Sequence, residues 1–83
     1  MKLIKKTVFQ ASILYNLAFA PDFNLKKSYE ISIDLEGWKN EFPASLILQR
    51  GTYPKIDGRH RLSYLNKTNK LDLLIPTNIY LVE

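Results

Sequence analysis

Ile56-Asp57-Gly58-Arg59-His60-Arg61-Leu62 is the stretch from which the architecture of this chain is read. It gathers one glycine, two arginines and the only histidine directly after a strand-like run. That layout predicts a strand-to-helix turn able to hold an anion. Asp57 is placed to cap a helix, and Gly58 lets the backbone approach a ligand closely. The first-turn N–H groups carry the positive end of the helix dipole toward that ligand. Arg59 and Arg61 then stand where a bidentate clamp on phosphate would need them. His60 is the candidate for a hydrogen bond or a proton transfer near neutral pH. Lys55 faces either the site or solvent, depending on strand register.

Outward from this turn, the second half of the chain divides cleanly. Ser45–Gln49 reads as a short apolar strand, Arg50-Gly51-Thr52 as a tight turn, and Tyr53–Ile56 as the second strand of a hairpin. Pro54 places that second strand at a sheet edge or at a bulge. Gly58 to about Asn66 reads as a helix with Leu62 and Leu65 toward the core. Thr68–Asp72 is polar and turns the chain. Leu73–Val82 closes the sequence as a strand, with Ile75, Ile79 and Leu81 as expected core residues.

The first half is less regular. In residues 3–19, Val8, Ala11, Leu14 or Tyr15, and Ala18 fit a helical stripe that Thr7 could cap, while the Val, Phe, Ile and Tyr content equally fits a buried strand pair. Pro21-Asp22-Phe23-Asn24 is a break. Tyr29, Ile31, Ile33 and Leu35 alternate with Glu30, Ser32 and Asp34, which predicts a strand with one wet face. Glu36–Phe42 is a turn or short helix stopped by Pro43. The whole is expected to be one α+β domain over residues 1–83, a small mixed sheet with two or three helices.

Composition narrows the function. The chain has no cysteine, so disulfides, thiolate metal sites and thiol redox chemistry are excluded, and one histidine cannot build a histidine-rich metal site. The net charge of +4 is uneven. Residues 30–41 hold Glu30, Asp34, Glu36 and Glu41 against Lys39. Residues 50–70 hold Arg50, Lys55, Arg59, Arg61, Lys67 and Lys70 against Asp57. A basic segment centred on the glycine turn attracts phosphate, nucleotide or nucleic acid. The lysine-rich start and the apolar run ending Ala18-Phe19-Ala20 imitate a signal peptide. Gln10, Ser12 and Asn16 interrupt that run and Pro21 follows it, so the segment is read as part of the fold of a cytoplasmic protein. No run reaches the roughly 18 apolar residues of a membrane span.

The order strand, turn, strand, glycine turn, helix, loop, strand, taken with the motif, resembles the ParB/sulfiredoxin-like superfamily, and its ParB-type nuclease-like domains in particular. The resemblance is carried by Tyr53-Pro54-Lys55-Ile56-Asp57-Gly58-Arg59-His60-Arg61-Leu62 and by Leu74-Ile75-Pro76-Thr77-Asn78-Ile79-Tyr80-Leu81-Val82, within residues 43–82. It implies a phosphate site at Gly58, Arg59, His60 and Arg61, with Asp57 and Lys55 beside it, and ATP or CTP with Mg²⁺ as nucleotides to consider. Sulfiredoxins need a cysteine directly before the histidine; Arg59 stands there, so that reductase chemistry is excluded. The helix-turn-helix domain of ParB partition proteins has no counterpart within these 83 residues. The family's helix ahead of the second strand is reduced, at most, to residues 36–42.

No Gly-x-Ser-x-Gly, Walker-type or paired-histidine pattern occurs. Carboxylates near the turn are not paired, whereas metal-dependent nuclease chemistry calls for at least two. Trp38, Tyr53 and Tyr64 read as core or boundary aromatics ahead of base-stacking platforms, with Trp38 suited to a structural or partner-binding role. Three functional readings follow. The first is a small phosphate-binding domain for a nucleotide or nucleic acid, DNA included. The second is a non-enzymatic interaction or inhibitor protein, of the phage or mobile-element type, that binds a protein or nucleoprotein partner. The third is a nuclease or kinase completed by oligomerisation.

Overall fold

The computed structural model describes residues 1–18 and 25–83; the expected break at Pro21–Asn24 lies outside them. The elements run β1 (Lys2–Gln10), α1 (Ala11–Ala18), α2 (Lys27–Glu36), β2 (Ala44–Gln49), β3 (Lys55–Asp57), α3 (Arg59–Lys67) and β4 (Leu74–Val82). Together they form a small α+β fold with one four-stranded mixed sheet. No helix among the described residues is long and apolar enough to cross a membrane.

The strand order is β1-β4-β2-β3. β2 and β3 pair antiparallel across the Arg50–Thr52 turn, where the Thr52 amide and hydroxyl both donate to the Gln49 carbonyl at 3.2 and 3.1 Å. β3 is an edge strand, as Pro54 suggests, and begins only at Lys55, since Pro54 has no N–H to give a ladder. α3 then carries the chain back so that β4 lies parallel to β2, and β1 pairs antiparallel on the other side of β4. Register places Ala44, Leu46 and Leu48 beside Thr77, Ile79 and Leu81 on one sheet face. Phe9 and Ile75 continue that face, as does Ile56 opposite Leu46. Onto it α1 lays Ala11 and Leu14, and α3 lays Leu62 and Leu65, all fully buried with Ile75. Thr77 is a buried polar residue of this layer, its hydroxyl donating to the Ile75 carbonyl at 3.0 Å.

Residues 3–19 divide differently from either expectation. The β-branched, lysine-rich half forms the exposed edge strand β1, and the helical stripe is realised only from Ala11 onward. Thr7 does not cap a helix; it sits in β1 opposite Thr77. The α1 N-terminus is completed by tertiary partners instead, with the Ala11 and Ser12 amides donating to the Leu73 and Leu71 carbonyls at 2.8 Å each.

The clearest expected strand, Tyr29–Leu35, is helix α2. Residues two apart on a helix point about 200° away from each other, so the alternating apolar set fans around the axis. Ile33 alone is buried, at 7% exposure, whereas Leu35 is 80% exposed. Three local devices support the helix. The Lys26 carbonyl accepts from the Tyr29 and Glu30 amides, Lys27 pairs with Glu30 one turn on, and Gly37 closes the C-terminus at φ 72° with its amide on the Ile33 carbonyl. Asp34 ties α2 to the rest, accepting from the Tyr64 hydroxyl at 2.7 Å and from the Lys70 ammonium at 2.8 Å.

Candidate functional site

The glycine turn stands where expected, between β3 and α3, but its parts work differently. Asp57 is not the helix cap. It is still in β3, opposite Ser45, and the N-cap position falls one residue later. Gly58 is the N-cap itself, in the left-handed region at φ 111°, with no side-chain bond to the helix. The first bond of α3 runs from the Leu62 amide to the Gly58 carbonyl at 3.1 Å, so the Arg59, His60 and Arg61 amides precede it.

Two constraints fix glycine at position 58. One is the positive φ. The other is Trp38: a Cβ on Gly58 would lie 3.1 Å from the indole ring. The close approach for which glycine is needed is therefore made by the protein's own tryptophan. Trp38 is buried and donates its indole N–H to the Phe42 carbonyl at 2.8 Å. Arg61 lies over the same ring, its guanidinium carbon 4.0 Å from the centroid, and donates from Nη1 to the same Phe42 carbonyl at 2.9 Å. Burial draws the Arg61 guanidinium below its ordinary value, opposed by the charges of Asp57 and Tyr29. Arg61 is thus the clasp between α3 and the 38–42 loop, and the pair of arginines is divided between two tasks. Arg59 and His60 occupy the exposed first turn.

This junction forms one wall of a cleft of about 850 Å³. Lys55, Asp57, Gly58, Arg59, His60 and Arg61 all line it. The facing wall is α2, through Ser28, Tyr29, Ser32 and Ile33, and the 37–42 loop closes the end with Trp38, Lys39 and Phe42. Lys39 reaches Glu36 at 2.6 Å, and that hydrogen bond, then the charge of Glu36, raises its pKa. Lys55 and Asp57 share one face of β3, opposite the buried Ile56, which settles the register left open by the sequence. All six expected site residues are therefore brought together on one cleft.

The α2 wall was not legible in the sequence, because the alternation at 29–35 put those residues in a strand. Tyr29 and Phe42, 56% and 60% exposed, bring aromatic surface to the cleft that no motif announced. Tyr53, by contrast, is exposed and absent from the cleft lining, and Tyr64 is engaged with Asp34. No family model matches this chain, and neither do curated proteins or solved structures.

Proposed function

We propose that the chain is a small phosphate-binding domain that takes a nucleotide or nucleic acid in the cleft beside Gly58. The observation that carries this reading is the convergence of the α3 N-terminus with Lys55, Arg59 and His60 on one wall of a cleft of about 850 Å³. That volume lies within the range of small-ligand sites. Phosphate would sit against the first-turn amides, with Arg59 and Lys55 supplying charge. Tyr29 and Phe42 offer stacking surface for a base. Arg61 holds the loop that carries Phe42 in place. The run β2, β3, α3, β4 with the glycine turn at its centre supports the ParB/sulfiredoxin-like assignment for residues 43–82. Calorimetry at low salt with ATP, CTP and a short DNA duplex tests the reading. At least one should bind, about tenfold more weakly in Lys55→Ala/Arg59→Ala. No binding, or binding unchanged in that variant, overturns it.

A second reading, a non-enzymatic interaction protein, is favoured by the exposed Ile31 and Leu35, one turn apart on α2. A partner recovered from a host lysate by the native chain, and lost with Ile31→Glu/Leu35→Glu, would favour it over the first.

A further inference from the structure

At the sheet edge opposite β3, β1 presents a free strand of nine residues among the described ones. At about 3.3 Å per residue it runs about 30 Å, and it is paired on one side only, to β4. Residues 1–6 are all exposed, and Leu3, Ile4 and Val8 are exposed apolar residues on it. Such an edge is a template for one more strand. Its charge is of one sign: Lys2, Lys5 and Lys6 with no carboxylate, and β4 beside it, Leu74–Val82, has none either. The ion pairs Lys27–Glu30, Lys39–Glu36 and Lys70–Asp34 lie elsewhere.

We infer that the free edge of β1 docks an acidic extended segment of a partner protein as a fifth strand. Pairing is regular from Lys5 to Gln10, beyond the irregularity between Leu3 and Lys5, so that stretch is the docking segment. Lys5, Thr7 and Phe9 point to the helix-bearing face, and Lys6, Val8 and Gln10 to the other. The partner strand therefore needs two adjacent acidic residues, one per face, opposite Lys5 and Lys6, and a β-branched residue opposite Val8. A second copy of this chain is disfavoured, because an antiparallel β1 seam would bring six lysines together with no acid. Nucleic acid would use the lysines but leave the edge amides and carbonyls unmatched, whereas an added strand satisfies both.

The probe is the capped peptide Thr-Val-Val-Thr-Glu-Glu-Val-Thr, added to isotopically labelled full chain and followed by amide shifts and amide exchange. The expected result is perturbation confined to β1, with slowed exchange of its outward amides. The Gln-Gln version of the peptide should bind about tenfold more weakly. Lys5→Glu/Lys6→Glu should reverse the preference toward a Lys-Lys peptide, and Lys55→Ala/Arg59→Ala should bind the acidic peptide as the native chain does. The inference is overturned by no perturbation at millimolar peptide, by perturbation centred on the cleft, or by equal binding of the Gln-Gln peptide. Displacement of the peptide by a DNA duplex, or dimers built through β1 in preference to the complex, overturns it as well.

Discussion

Gly58 and Arg61 show how little a motif says about which atoms its residues touch. Gly58 carries a positive φ and a tryptophan ring where a Cβ would go. Gly58→Ala is expected to lower stability by roughly 1–3 kcal/mol, while Gly51→Ala, at φ 81° in open space, costs about 1 kcal/mol. Urea midpoints of the two variants, measured side by side, check the order; equal losses would mean that Trp38 yields freely. Arg61→Ala removes the stack on Trp38 and one of two bonds to the Phe42 carbonyl. The expected loss is about 1–2 kcal/mol, visible in chemical denaturation followed by tryptophan fluorescence. Arg61→Lys should recover only part of it, since an ammonium cannot lie flat on the ring and reach the carbonyl together.

At the scale of elements, α2 is the decisive case. A strand at 29–35 would bury Tyr29, Ile31, Ile33 and Leu35 on one face, so all four would matter to stability. The helix makes Ile33 alone a core residue. Ile33→Ala should cost about 2 kcal/mol, and Leu35→Ala should stay within about 0.5 kcal/mol of the native chain. Thermal unfolding of the two variants separates the two geometries directly. The alternation misled because period-2 patterning reports burial only if one face is in fact covered. Here the segment pairs with none of the four strands and is anchored by one isoleucine and one aspartate.

At the scale of the molecule, α2 is held to α3 and to the loop after it by polar contacts that titrate. Asp34 is held below its ordinary 3.8, first by the hydrogen bond from Lys70 and then by that from Tyr64. Tyr64 is pushed from 10.0 up to about 12, chiefly by its hydrogen bond to Asp34. The signs are opposite. A lowered carboxylate contributes stability above pH 3.8 and loses it as pH falls through the folded-state value; a raised phenol contributes below pH 10.0 and loses it as pH rises toward about 12. Stability curves of the native chain and Asp34→Asn should therefore converge below pH 3.8, and those of the native chain and Tyr64→Phe between pH 10.0 and about 12. Melting temperatures recorded across that range provide the check. Parallel curves throughout would show that the contact contributes nothing.

The sequence by itself determined what is local. Turn chemistry at Arg50–Thr52, the proline that keeps the hairpin's second strand at an edge, the helix opened at Gly58 and the closing strand all follow from residue types at short range. So does the placing of Lys55, Asp57, Gly58, Arg59, His60 and Arg61 around one turn, because six neighbouring positions cannot stray far apart. Only the tertiary structure decided what lies across from them. It made α2 the far wall of the cleft, brought Trp38 onto Gly58, and took Arg61 as a clasp at a separation of 19 residues from Phe42. It also left β1 as an open edge. These outcomes depend on which surfaces meet, and chain-distant packing leaves no period or spacing in the sequence to announce it.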